Sequence, residues 1–188
     1  SAMSQTLTAV LVQPPVEDFY LTKKRTLPYG LASIASSVRA AGVSVSLIDG
    51  LATAKAKAIT RPDALSGLDR YYDRPDTSAM GLFHQYRHFG YSHEHIATEV
   101  RKKQPFIVGI SSLFTAYEDQ ALQTAQEIKR FHPACQIVAG GHHPTIFPEQ
   151  LLACPDIDFV TRGEGEIPMA ELCKALAVDP TNQRRFEK

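Results

Sequence analysis

The chain has 188 residues, 44% of them hydrophobic, enough to bury one good core and a better fit to one domain than to two. Lysine plus arginine equals aspartate plus glutamate at 20 each, so the charge balance implies neither nucleic acid nor an anionic membrane surface as partner. No stretch approaches eighteen apolar residues and no basic-then-apolar leader opens the chain; no membrane span or secretory signal is expected, and a cytoplasmic location follows.

The first element, "LTAVLVQ" (Leu7 to Gln13), is a short apolar run ended by Pro14-Pro15 and reads as a buried strand followed by a stiff loop. A helix follows from Pro28, with Leu31, Ile34, Ala35, Val38 and Ala41 at helical spacing and Gly42 as its stop. "VSVSLID" (Val43 to Asp49) alternates apolar and polar residues, the pattern of a half-exposed strand. Residues 51 to 95 lose any clean period and read as an insertion with some helix, and a further helix is expected from about His93 to Lys103. "PFIVGISS" is the third strand. Thr115 and Glu118 then form a T-x-x-E capping box for a helix with Ala121, Leu122, Ala125, Ile128 and Phe131 on its inner face. "CQIVAGG" is the fourth strand, Pro148 to Ala153 a short helix, "DIDFVTRG" the fifth strand, and about Ile167 to Ala177 the last helix.

This βα alternation predicts an α/β fold with helices on both faces of a five-stranded parallel sheet. Interior strands of such a sheet are apolar throughout, whereas edge strands can alternate. Strands one, three and four are nearly continuous apolar runs, and strands two and five alternate. That selects the spatial order 2-1-3-4-5, a flavodoxin-like, Rossmann-like three-layer sandwich, with ligands beyond the C-terminal strand ends near the switch between strands one and three.

The loops at that rim are "QPPVEDFY", "SSLFTAY", "GGHHPT" and "TRGEGE". Ser111, Ser112, Gly140, Gly141, Gly163 and Gly165 let a ligand approach the backbone, although short βα turns favour glycine without any ligand. The first loop carries prolines in place of G-x-G-x-x-G, which weakens a nicotinamide site, and no Walker loop occurs. Glu17 and Asp18 lie too far into the loop for a phosphoacceptor receiver, and the loop lacks the Ser, Thr and Gly of a flavin phosphate site. Cys135, Cys154 and Cys173 have no C-x-x-C spacing and read as reduced thiols.

"SSL" after strand three and "GG" after strand four match the SxL and GG parts of a cobalamin-binding fingerprint. Together, "GISSLFTAYEDQALQTA", "VAGGHHPTIFPE" and "DFVTRGEGE" resemble the N-terminal cobalamin-binding domain of radical S-adenosylmethionine enzymes, most of all the anaerobic magnesium-protoporphyrin IX monomethyl ester cyclase family and related methylases. The resemblance implies cobalamin contacts at Gln13, Pro14, Ser111, Ser112, Leu113, Phe114, Gly140, Gly141, His142, His143, Thr161, Gly163, Glu164 and Gly165. In it, Ser111 would hydrogen-bond the buried nucleotide tail, Leu113 would shape its channel, and Gly140 and Gly141 would leave room for it. It implies no catalytic residue in this chain. A [4Fe-4S] cluster and S-adenosylmethionine would belong to a C-terminal radical barrel, the expected partner, acting on a small-molecule substrate such as a porphyrin.

Two departures qualify the resemblance. No histidine occurs before His84, and Asp18 and Tyr20 leave only a D-x-Y remnant of the family's D-x-H-x-x-G, so cobalamin is expected base-off without a histidine from the first loop. C-x-x-x-C-x-x-C is absent, so the barrel is expected outside this sequence. Residues 4–180 are accordingly read as one cobalamin-binding-like domain, residues 1–3 as a cloning scar and residues 181–188 as the start of a linker to the barrel. His142 and His143 are expected to meet corrin amides or turn carbonyls rather than cobalt. His84 and His88, four apart, would share a helical face on the insertion surface or face the substrate, and no metal-ligating set is assigned. The aromatics Tyr71, Tyr72, Phe83, Tyr86, Phe89 and Tyr91 would line a route to a flat substrate or pack the insertion down. The rival reading is a regulatory or interaction domain of this fold that has lost its cofactor.

Overall fold

The structure is a computed structural model and describes residues 7–18, 29–59, 86–111, 118–141, 151–162 and 166–178. Five parallel strands form the main sheet: β1 (Thr8–Gln13), β3 (Ser44–Asp49), β6 (Ile107–Ser111), β7 (Gln136–Gly141) and β8 (Phe159–Arg162). Their order is β3-β1-β6-β7-β8, so the five main-sheet strands lie 2-1-3-4-5 when counted along the chain. Strand β6, buried throughout, and β1, buried from Ala9 onward, lie inside, and the half-exposed β3 is an edge, as the patterns required.

Side-chain alternation divides the core into two layers. Val10, Val12, Val108, Ile110, Ile137 and Ala139 pack with α2 (His93–Lys103) and α3 (Glu118–Phe131). Ala9, Leu11, Ile107 and Val138 pack on the opposite face with α1 (Tyr29–Ala40) and α4 (Glu166–Val178). On α3, Ala121, Ala125 and Ile128 are fully buried, while Leu122 and Phe131 are partly buried against the same layer.

Local chemistry sets the helix ends. The N–H of Val43 reaches the carbonyl of Val38 at 3.4 Å and that of Gly42 the carbonyl of Arg39 at 2.9 Å, a Schellman ending that places Gly42 at φ +86°. Ser92 caps α2 by accepting the His95 N–H at 3.1 Å. Glu94 in its first turn and Arg101, Lys102 and Lys103 in its last complement the helix dipole. Thr115 of the expected capping box lies outside the described residues. Of the short helix expected over 148–153, Leu151 and Leu152 are helical.

The insertion also holds strands that the sequence pattern did not show. Besides the first turn of α2 at residues 93–95, its described residues hold two strands, β4 (Ala56–Ala58) and β5 (Arg87–Phe89), which join β2 (Val16–Asp18) in an antiparallel sheet of order β2-β5-β4. Since β2 is part of the loop after β1, this second sheet builds up the rim at the C-terminal end of the main sheet.

Candidate functional site

The ends of the five main strands carry a polar, small-residue row on one face. Gln13 pairs with Asp49, Ser111 with Gly140, and Gly140 with Thr161. Continuing the β1 to β6 register by one residue beyond Val12 and Ile110 sets Gln13 level with Ser111. Two-residue alternation places all five positions on the α1/α4 side, because Leu11 and Val138, two residues earlier on their strands, belong to that layer. The row beneath is Leu47, Leu11, Gly109, Val138 and Phe159, an apolar floor.

The glycines in the middle of this surface are closely packed by the chain's own side chains. A Cβ on Gly140 would overlap the Thr161 hydroxyl, and one on Gly109 would come 2.7 Å from Leu11 Cδ2 and 3.3 Å from Met169 Cε. Gln13 and Ser111 are 5% and 9% exposed. Gln13 Nε2 donates to the carbonyl of Pro14 at 3.1 Å, while its Oε1 is buried with no hydrogen-bond partner. Asp49 Oδ1 accepts the Leu51 N–H at 2.9 Å. Pro14 is buried between β1 and β2, and Gly141 ends β7 opposite Arg162. Thus the structure brings Gln13, Pro14, Ser111, Gly140, Gly141 and Thr161 to one edge. Ser112, Leu113, Phe114, His142, His143, Gly163, Glu164 and Gly165 lie outside the described residues.

Next to this row stands a polar network that sequence spacing did not disclose. His88, expected on a helical face at the insertion surface, is on β5 and largely buried. Its Nδ1 lies 2.9 Å from Glu17 Oε1 and its Nε2 2.8 Å from the Tyr91 carbonyl. Both ring nitrogens lie within hydrogen-bond distance of oxygens of this chain, so both are engaged within the protein. The Tyr86 hydroxyl donates to the Glu17 carbonyl at 3.1 Å. The His93 ring stands edge-on to His88 at 5.3 Å, and its Nε2 is 3.1 Å from Gln120 Oε1 on α3. Burial, and then the neighbouring His88, push His93 below its ordinary pKa of 6.5. The physical reason for the missed placement is distance along the chain: Glu17 and His88 are 71 residues apart, and three-residue strands have no periodicity to read.

All three cysteines are free and buried. Desolvation raises the thiols of Cys135 and Cys173 to about 11 and about 12, so neither is poised as a nucleophile. Among the described residues, no three or more His, Cys, Asp or Glu side chains converge as a metal site, and no helix is long and apolar enough to cross a membrane.

Residues 81–173 match the B12 binding domain family. An uncharacterized methyltransferase of Pyrococcus horikoshii is 41% identical over 83 residues, covering 44% of this chain and 18% of that protein. Cytidylyl-2-hydroxyethylphosphonate methyltransferase of Streptomyces wedmorensis is 28% identical over 142 residues, 76% of this chain and 23% of its own length. The anaerobic magnesium-protoporphyrin IX monomethyl ester cyclase of Cereibacter sphaeroides is 35% identical over 91 residues, 47% of this chain and 14% of its own. The chain therefore spans less than a quarter of each of these relatives.

Proposed function

From its similarity to the B12 binding domain family over residues 81–173, we propose that this chain binds cobalamin along the α1/α4 face of its sheet edge. The observation that carries the reading is the row from Asp49 to Thr161, which sets Gln13, Ser111 and Thr161 with Gly140 along one face of the strand ends. A corrin and its nucleotide tail need scattered hydrogen-bonding groups for their amides and hydroxyls; serine, threonine and a buried carboxamide without a partner for its oxygen meet that need.

In this reading Ser111 holds the tail, Gly140 and Gly141 make room for it, and Thr161 and Pro14 border the corrin. Ser112, Leu113, Phe114, His142, His143, Gly163, Glu164 and Gly165 complete the rim. Cobalamin is bound base-off and receives no histidine from the loop after β1; His88, the histidine next to that loop, has both nitrogens committed. Bound cobalamin would supply the organometallic chemistry, while this chain orients it and excludes water. The partner is a radical S-adenosylmethionine barrel with a [4Fe-4S] cluster in the same cytoplasmic protein, and the reaction is a methyl transfer or a cyclisation of a small molecule. Relatives named as methyltransferases and as a magnesium-protoporphyrin cyclase support that class.

A visible-absorption titration with hydroxocobalamin and cob(II)alamin tests the reading. Saturable binding with a base-off spectrum, abolished in Ser111→Tyr with its circular dichroism unchanged, is expected. Absence of any spectral change at high micromolar cobalamin, or unaltered binding by Ser111→Tyr, overturns it.

A further inference from the structure

Among the described residues, Gln13 Oε1 is the one buried side-chain oxygen or nitrogen without a hydrogen-bond partner. Such an atom destabilises the ligand-free fold, because the water it gave up is not replaced. Its orientation is not arbitrary. The other end of the carboxamide donates to the Pro14 carbonyl at 3.1 Å, and exchanging the two ends would set oxygen against oxygen. Pro14 therefore fixes the amide so that its acceptor is the end left over. Gln13 ends β1, at the switch between β3 and β6, on the same face as Ser111 and Gly140. Its neighbour in the row, Asp49, is a second acceptor.

We infer that Gln13 reads a hydrogen-bond donor on the bound ligand: its carboxamide oxygen accepts an N–H or O–H from the cofactor. The inference rests on the cobalamin reading above and specifies it, because this end of the row accepts hydrogen bonds and selects donors. Two parts of cobalamin carry donors, the primary carboxamides around the corrin and the hydroxyl groups of the nucleotide tail.

Gln13→Met tests it, since methionine keeps the length of the side chain and removes both polar ends. Titrations of wild type and variant with hydroxocobalamin and with dicyanocobinamide, which has the corrin amides but no nucleotide, are paired with urea unfolding of the ligand-free proteins. The expected result is a ligand-free variant at least as stable as wild type and an affinity for cobalamin lower by about tenfold. If cobinamide binding weakens equally, the donor is a corrin amide; if only cobalamin binding weakens, it is a tail hydroxyl. Wild-type affinity of the variant for both ligands overturns the assignment while leaving the cobalamin reading intact, and so does a variant whose ligand-free form is destabilised with its affinity unchanged. A wild-type chain that binds neither corrinoid defeats the cobalamin reading and this inference with it.

Discussion

Gly140→Ala is the smallest change that probes the centre of the row. A Cβ at this position meets the Thr161 hydroxyl, whereas Thr161 Cβ and its carbonyl oxygen lie 3.6 Å away, at ordinary contact distance. One oxygen atom is thus the whole obstacle. Forcing an extra carbon into a packed site costs about 1–3 kcal/mol, and relief of glycine's backbone entropy returns about 0.5–1 kcal/mol. A net loss of roughly 0–2.5 kcal/mol follows, or up to about 10 °C in midpoint for a chain of this size. Urea unfolding of Gly140→Ala, Thr161→Ala and the double variant measures the coupling. The double variant is expected to be more stable than the sum of the single effects by about 1–2 kcal/mol, because the hydroxyl is gone. Pairing Gly140→Ala with Thr161→Val, which keeps a branch, should give no such relief. Strict additivity of Gly140→Ala and Thr161→Ala, with any loss from Gly140→Ala persisting when Thr161 becomes alanine, would refute the steric account.

Two further perturbations address other parts of the molecule. Asp158 Oδ2 accepts from Lys129 Nζ at 2.9 Å and from the Ile137 N–H at 2.7 Å, with both charged side chains about 15% exposed. Asp158→Ala should cost about 2–4 kcal/mol in urea unfolding. Lys129→Met should cost a comparable amount, because it also removes the Nζ bond to the Cys135 carbonyl at 2.6 Å and leaves the Asp158 carboxylate without its counter-charge. The lowered pKa of His93 makes a pH prediction with a definite sign. Below 6.5 the unfolded chain takes up the proton before the folded one, so this histidine adds no penalty above that pH and removes stability as the pH falls from 6.5 through the folded pKa. The groups facing it are His88, Glu17, Glu127 and Gln120. Midpoints measured between pH 7.5 and 5 should fall more steeply in wild type than in His93→Gln, and equal slopes would contradict the burial of this ring.

The main sheet was legible because its signals are local or nearly so. Continuous apolar runs in β1, β6 and β7 and the alternation in "VSVS" agree with the observed order, whereas of "DIDF" only Phe159 lies in β8, and Gly42 marked the end of α1 through a backbone requirement that glycine meets. The second sheet gave no comparable sign. "VED", "AKA" and "RHF" are too short for a period of two to show, and their pairing depends on contacts across the insertion. His88 was visible as a residue and invisible as a partner of Glu17. For the site, "SSL" and "GG" carried their own recognition, whereas the shared face of Gln13, Ser111, Gly140 and Thr161 required the register of four strands. The open valence of Gln13 Oε1 required coordinates.

Gly50 determines how the insertion joins the rest of the chain. Its N–H bonds the Gln13 carbonyl at 2.8 Å, and its own carbonyl accepts the Tyr91 N–H at 2.8 Å. Gly90, at φ +104°, is packed against that same carbonyl. Residues 50 and 90 thus meet directly behind the last residue of β1. The segment between them is held at further points: β5 pairs with β2, His88 reaches Glu17 and the Tyr91 carbonyl, and its ring meets His93 in the first turn of α2. A change in β5 would therefore be felt at once by the loop after β1 and by the lead-in to α2, which makes this second sheet a brace between the two.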